Sequence, residues 1–206
     1  MRIKSVVYIV ALTLCCSVTY GVTLTFDEVP SGTVLATTAY ASARVWFTLD
    51  FRATDHAGSP WGPPYSGSNV VTSVGTSFGN PHIGFGYFDD SVFDPDLVQS
   101  VSAYFSTNVG VMVRVTAYRW GNPSAVTSVV IGASGESWNN RYVEISSTPE
   151  LPFERLEFEA VNSPDDLLGF SADDMTILPA PEPSSLAALA LGLLPLGAAL
   201  ARRRKR

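Results

Sequence analysis

The chain has 206 residues, a formal net charge of −6 and 46% hydrophobic residues. Both of its cysteines, Cys15 and Cys16, lie near the N-terminus, so the sequence predicts no disulfide in the rest of the chain. Between residues 22 and 180, six arginines and no lysine stand against 18 acidic residues, a net charge of −12. Such a surface repels nucleic acid, which we therefore exclude as a partner.

The N-terminal segment, residues 1–21, has the pattern of a secretory signal peptide. Arg2 and Lys4 form a positively charged start, Val6 to Cys16 is mostly apolar, and Ser17 to Gly21 is small and polar. Cleavage is expected at the end of this segment. An uncleaved membrane anchor is the alternative. In both cases the middle of the chain is expected to be translocated across the membrane.

Strand signals dominate residues 22–178, which are expected to form one domain. Short runs of β-branched and aromatic residues with period-two alternation are separated by clusters of Gly, Pro and Ser. No stretch of this region keeps a 3.6-residue apolar period. The pattern predicts an antiparallel β-sandwich and favours a jelly roll. The predicted strands are Val22–Phe26, Arg44–Phe51, Val70–Val74, His82–Phe88, Val98–Ser106, Val111–Ala117, Ala125–Ile131, Arg141–Ser146, Phe153–Ala160 and Gly169–Leu178.

Three aromatic residues are candidates for binding a glycan. Trp61 and Tyr65 lie in the Gly- and Pro-rich loop Ala53 to Ser68, and Trp138 precedes two asparagines. Aromatic faces stack on sugar rings, and loops at the end of a sandwich often carry binding residues. The alternative is that these rings pack in or around the core and that the loop is only a connector.

Four acidic residues are candidate calcium ligands. Asp27 and Glu28 follow the first predicted strand, and Asp173 and Asp174 lie in the last one. The predicted fold resembles jelly-roll carbohydrate-binding modules, in which a structural calcium often joins the first and last strands; the resemblance implies such an ion here. Turn-capping carboxylates that face water are the alternative. The acidic segment Asp89 to Asp96 lacks the spacing of an EF-hand and is expected to be a solvated turn.

Catalytic patterns are missing from the sequence. It contains two histidines, no Gly-x-Ser-x-Gly and no His-Glu-x-x-His motif. Glu157 and Glu159 could mimic a glycosidase pair, but alternation toward solvent explains them as well. We therefore expect a protein that is not an enzyme.

The C-terminal tail, residues 179–206, has three parts. The motif Pro181-Glu182-Pro183 comes first, an uncharged apolar run of 18 residues, 184–201, follows it, and 202–206 are all Arg or Lys. As a helix this run would measure ~27 Å, close to the hydrocarbon core of a bilayer. The basic end is expected to stay in the cytoplasm.

This tail resembles the PEP-CTERM sorting signal of Gram-negative bacteria, on the residues Pro181, Glu182 and Pro183, the apolar run and the basic end. The resemblance implies recognition by an exosortase, a membrane-embedded transpeptidase. It also implies transient anchoring in the inner membrane and delivery to the cell surface or extracellular matrix. Such proteins accompany exopolysaccharide production and biofilm, so a structural or adhesive role is expected. Direct recognition of a polysaccharide is the alternative role, and a plain membrane anchor is the alternative reading of the tail.

Overall fold

The computed structural model describes residues 21–35, 39–48, 51–55, 64–73, 81–89, 92–161 and 169–181. A compact unit spans Gly21–Pro179. The second unit combines 1–20 with 180–206, and of it only Ala180 and Pro181 are described. No helix in the described ranges is long and apolar enough to cross a membrane. The predicted signal peptide and the apolar run of the tail lie outside those ranges.

The described residues form strands and one short 3-10 helix, Ala41–Ala43. The strands are β1 (Val22–Leu24), β2 (Val45–Phe47), β3 (Phe51–Asp55), β4 (Asn69–Ser73), β5 (His82–Asp89), β6 (Val92–Pro95), β7 (Val98–Thr107), β8 (Val113–Tyr118), β9 (Ala125–Ile131), β10 (Trp138–Ser146), β11 (Arg155–Ala160) and β12 (Phe170–Pro179).

The strands form two antiparallel sheets. Sheet A has the order β10-β7-β12-β4-β3, and β1 pairs with the second half of β12. Sheet B has the order β2-β5-β11-β8-β9, and β6 pairs with β5. Among the described strands, only β3 and β4, β5 and β6, and β8 and β9 are consecutive strands of the same sheet; at every other connection between consecutive strands, the chain changes sheet. The prediction of an all-β antiparallel sandwich is confirmed.

Period-two alternation places the core between the sheets. In β7, Val101, Ala103 and Phe105 are buried, whereas Ser102 and Tyr104 lie on the opposite face, as their alternation predicts. Large aromatic side chains fill the space between the sheets through edge-to-face contacts, which their ring quadrupoles favour. Phe51 illustrates this, since it contacts aromatic rings of both sheets. Its ring centroid lies 5.6 Å from that of Phe47, 5.5 Å from Phe158 and 6.4 Å from Phe170.

The predicted strand Arg44–Phe51 is wrong as a single element. It divides into β2 in sheet B and the start of β3 in sheet A. The backbone N–H of Phe51, the first residue of β3, donates to the carbonyl of Thr48, which directly follows β2, at 3.3 Å. Both strands are apolar, so their composition does not reveal that the chain changes sheet here.

The acidic segment predicted as a solvated turn contains β6 instead. Two of its carboxylates bind Arg44, whose Nε lies 2.5 Å and Nη2 2.9 Å from the two oxygens of Asp96, and whose Nη2 lies 3.2 Å from Oδ2 of Asp94. This two-point contact fixes β6 beside the turn that precedes β2. These acids therefore have a structural role.

Candidate functional site

Strand register brings two outward-facing tyrosines together on sheet A. Tyr142 of β10 and Tyr104 of β7 are directly paired across the strands, and their ring centroids are 5.6 Å apart at an interplanar angle of 63°. Tyr65, from the loop before β4, stacks on Tyr104 with centroids 3.5 Å apart and planes 7° from parallel. We call these three residues the tyrosine cluster.

The outer two rings of the tyrosine cluster are open to solvent. Tyr65 is 51% exposed and Tyr142 is 57% exposed, while Tyr104 is partly covered. Because Tyr65 is nearly parallel to Tyr104, its ring and that of Tyr142 are strongly inclined to each other. The cluster therefore presents two exposed aromatic rings whose planes are inclined to each other.

Three carboxylates hold the loop that carries Tyr65. Asp173 accepts the backbone N–H of Ser66 at 2.8 Å, and Asp174 accepts the Ser66 hydroxyl at 2.6 Å. Asp27 accepts the N–H groups of Ser68 and Asn69 at 2.6 and 3.0 Å. One loop is thus held by Asp27, which follows the first strand, and by Asp173 and Asp174, which lie in the last strand. We call Asp27, Asp173 and Asp174 the carboxylate clamp.

A β-bulge in β12 directs two members of the clamp toward the loop. The register between β12 and β7 shifts between Asp173 and Thr176, and Asp174 adopts a left-handed φ of 47°. A bulge of this kind changes the direction of side chains on the bulged strand. Asp173 is 1% exposed and Asp174 is partly exposed. Both carboxylates accept hydrogen bonds from Ser66 of the loop.

Burial shifts the pKa of one member of the clamp. It raises the pKa of Asp173 to about 6, against the opposing effect of the N–H groups of Ser66 and Asp174, which favour the ionised form. The pKa of Tyr104 is raised by its hydrogen bond with Tyr65, by burial, and further by the Asp174 carboxylate. The clamp and the tyrosine cluster are therefore electrostatic neighbours.

Three of the four predicted calcium ligands meet at this loop. The structure brings Asp27, Asp173 and Asp174 to one loop, but their oxygens receive N–H and O–H donors. Glu28 accepts the Thr25 hydroxyl at 3.2 Å. Among the described residues no group of three or more His, Cys, Asp or Glu side chains is placed to hold a metal ion. Calcium requires six to eight oxygen ligands, so these donors do not fit it.

Trp138 lies apart from the tyrosine cluster in its contacts. Its ring packs against the core, and the Arg141 guanidinium lies 5.1 Å from the ring centroid. Glu136 pairs with Arg141 at 2.9 Å. Trp138 therefore has a packing role. Trp61 lies outside the described residues, as do Glu182 and Pro183 of the predicted sorting motif, whereas Pro181 is described.

A second aromatic group occupies the outer face of sheet B. The Arg155 guanidinium lies 5.2 Å from the Tyr118 ring and 5.6 Å from the Trp120 ring. Arg155 also pairs with Glu157 at 2.8 Å. The indole of Trp46 covers Gly84, where any Cβ would collide with it. These contacts describe a packed cation–aromatic group.

The two glutamates considered as a glycosidase pair are each held by an arginine. Glu157 pairs with Arg155, and Glu159 pairs with Arg114 at 2.9 Å. Both contacts lie on the outer face of sheet B, as alternation predicted. These ion pairs account for the two carboxylates as surface residues of the sheet.

Comparison with known proteins finds weak similarities to solved structures. No family model and no curated protein matches the chain. Among solved structures, a cleaved adhesin domain of Lys-gingipain matches with a TM-score of 0.47 and 15% identity, covering 77% of this chain and 99% of that chain. A second such domain, from Porphyromonas gingivalis, matches with a TM-score of 0.44 and 12% identity, covering 77% and 97%.

A β-(1,4)-mannanase of Podospora anserina, a GH26-CBM35 protein, matches with a TM-score of 0.33 and 16% identity. This match covers 80% of the present chain and only 29% of the mannanase. At such identities and scores, a likeness carries no argument about function. The candidate site therefore stands on its own geometry.

Proposed function

We propose that this protein is an exported, non-catalytic β-sandwich that binds polysaccharide and acts as an adhesive or structural component of the cell surface or extracellular matrix. The observation that carries the proposal is the tyrosine cluster, whose outer rings, Tyr65 and Tyr142, are more than half exposed. Such rings commonly stack on the apolar faces of sugars.

The construction of the cluster supports binding over packing. Tyr65 and Tyr142 add nothing to the core, because each is on the solvent side of sheet A. The carboxylate clamp fixes the loop that presents Tyr65, so little conformational freedom is lost when a ligand binds. A rigid, exposed aromatic pair is the arrangement expected of a binding surface.

The proposed fold class is a jelly roll. The strand orders β4-β12-β7-β10 in sheet A and β5-β11-β8-β9 in sheet B support it. Strands at the same position in the two orders, such as β4 and β5 or β12 and β11, are consecutive in the chain, which is the connectivity of a jelly roll. The remaining strands, β1, β2, β3 and β6, extend the edges of this arrangement. The tyrosine cluster then lies on the solvent face of the first group.

Export and delivery follow from the two ends of the sequence. The signal peptide, residues 1–21, directs the chain across the inner membrane, and residues 184–201 hold it there. An exosortase then recognises Pro181, Glu182 and Pro183 and releases the domain to the surface or matrix. The order of motif, apolar run and basic end supports this route.

Carbohydrate binding is tested on the full-length protein in detergent micelles. Affinity electrophoresis through gels that contain matrix polysaccharide should retard the protein, and Tyr65→Ala and Tyr142→Ala should abolish the retardation. Tyr87→Ala is the matched control, because Tyr87 is 50% exposed but lies on β5 of sheet B. Equal retardation of all variants would contradict the proposal.

Delivery is tested separately by replacing Pro181, Glu182 and Pro183 with alanine in the producing bacterium. The variant should remain in the inner-membrane fraction, because the sorting enzyme no longer recognises its tail. A variant that loses only the basic end, 202–206, provides a control for anchoring. Surface delivery of the alanine variant at the normal level would count against sorting through this motif.

A further inference from the structure

We infer that the tyrosine cluster binds a single, twisted polysaccharide chain that carries free amino groups, such as a partly deacetylated glucosaminan. This inference rests on the proposed function, because it assigns the ligand of the same site. It depends on two features of the cluster, namely the angle between its exposed faces and the sign of the charges around it.

The angle between the aromatic faces excludes a flat ligand. The Tyr142 ring is inclined by 63° to that of Tyr104, and Tyr65 lies parallel to Tyr104 within 7°. A crystalline polysaccharide surface would need coplanar rings. Two inclined rings instead contact consecutive sugars of one chain whose ring planes turn relative to each other. The geometry thus fits an isolated twisted chain.

Two carboxylates lie beside the cluster. Asp174 accepts the hydroxyl of Ser66, the residue that follows Tyr65, at 2.6 Å, and its carboxylate contributes to the raised pKa of Tyr104. Glu144 lies two residues after Tyr142 on β10, so it shares the outer face of sheet A, and it is exposed opposite Ser102. Ligand groups that stack on the cluster therefore lie beside two carboxylates.

The arginines of sheet A lie away from the cluster. Arg141 is next to Tyr142 in sequence but faces the other side, where it contacts Trp138 and Glu136. Arg52 is on β3, three strands from the strand β7 that carries Tyr104, a backbone separation of ~14 Å at the usual strand spacing. At physiological ionic strength that separation exceeds the screening length of ~8 Å.

An ammonium group suits both features of this surface. Aromatic faces attract cations through the ring quadrupole, by ~0.5–1 kcal/mol at exposed sites. Carboxylates beside the rings add direct attraction. A uronic acid or sulfated chain would instead be repelled by Asp174 and Glu144, and a fully acetylated chain would gain only the stacking energy.

The test compares three oligosaccharides of equal length against the full-length protein in detergent micelles. These are the glucosamine hexamer, the N-acetylglucosamine hexamer and the galacturonic acid hexamer, measured by isothermal titration calorimetry at a pH that keeps the amino groups protonated. We expect the glucosamine hexamer to bind about tenfold more tightly than its acetylated form. This difference should shrink as salt is added.

Two variants connect the preference to the named carboxylates. Glu144→Gln should reduce the preference for glucosamine while leaving the affinity for the acetylated hexamer unchanged. Asp174→Asn should also reduce this preference, and because Asp174 also holds the loop of Tyr65, its effect is read from the ratio of the two affinities. Asparagine tolerates the left-handed φ of residue 174, so the backbone there is expected to persist. Glu159→Gln, on sheet B, is the matched control and should retain the full preference.

The outcomes separate this inference from the proposed function. Equal or tighter binding of the acetylated hexamer overturns the inference and leaves carbohydrate binding standing. Binding of none of the three hexamers, together with no retardation in the polysaccharide gels, contradicts both. Displacement of the glucosamine hexamer by an equal charge of oligolysine peptide would assign the site to a basic protein segment and would also overturn the inference.

Discussion

The buried carboxylate of Asp173 accepts the backbone N–H of Ser66 at 2.8 Å, which joins the last strand of the domain to a loop 107 residues earlier in the sequence. Tyr65 immediately precedes Ser66 and stacks on Tyr104 of β7. The position of an exposed ring in the candidate site thus depends on a carboxylate buried beneath it. A change that disturbs this loop is therefore expected to displace the ring.

Gly67→Ala should disturb the loop and displace Tyr65. Gly67 has a φ of 57°, and a Cβ at this position would collide with the Asp27 carboxylate. The left-handed conformation costs a non-glycine residue ~1–2 kcal/mol before the collision is counted. We expect a lower melting temperature and loss of carbohydrate binding. Gly135→Ala is the control, since nothing lies within 4 Å of its Cβ, and it should change neither property.

The Asp173 carboxyl should make stability depend on pH. Its pKa is raised from 3.8 to about 6 by burial. Protonation therefore favours the folded state, so the contribution of this group is fully present below its unfolded pKa and is lost as the pH rises through about 6. The loss is on the order of 3 kcal/mol.

Urea denaturation across this pH window measures the effect. The change in the free energy of unfolding between the two ends of the window should be smaller in Asp173→Asn than in the native chain, because the amide does not titrate. Comparing the two proteins removes the contribution of the other acidic residues. Parallel pH profiles for both proteins would refute the assignment to Asp173.

Alternation along strands predicted the sandwich and much of its core. The inward positions of β7, Val101 and Phe105, were correct, because a strand with one buried face repeats its apolar residues every second position. The sheet change between Phe47 and Phe51 was missed, because a strand of sheet A and a strand of sheet B have the same apolar composition. Local pattern does not specify which sheet a strand joins.

The candidate site was only partly predictable. Tyr65 was identified from its loop, but Tyr104 and Tyr142 were missed, since the register of β7 with β10 is what places them together. A usable signal existed at Tyr104, a large aromatic residue at an outward position between Ala103 and Phe105. The acidic residues at both ends of the domain were expected to meet through an ion, and the structure brings Asp27, Asp173 and Asp174 to amide and hydroxyl donors of the loop between them.

Phe51→Ala should strongly destabilise the sandwich. Phe51 is fully buried and contacts aromatic rings of both sheets, so its truncation leaves a cavity that these rings cannot fill. A loss of ~3–5 kcal/mol in the free energy of unfolding is expected, measured by denaturant titration. Val130→Ala, at an exposed position of β9, should change it by less than ~0.5 kcal/mol. Similar values for the two variants would show that the core is not packed as described.

Calcium should have little effect on stability. The clamp carboxylates already accept hydrogen bonds from the loop, so the protein gains nothing from a cation that would have to displace them. Melting temperatures measured with millimolar calcium and with a chelator should agree. A clear rise with calcium, but not with magnesium, would mean that the loop rearranges to admit an ion and would restore the predicted site.

The most direct test of carbohydrate binding is an NMR titration of protein carrying 13C-labelled tyrosine, with each ring signal assigned by substitution. On addition of glucosamine hexamer, the signals of Tyr65 and Tyr142 should shift together with one dissociation constant, and the signal of Tyr87 should stay in place. Binding that shifts Tyr87 while Tyr65 and Tyr142 remain unchanged would contradict the account.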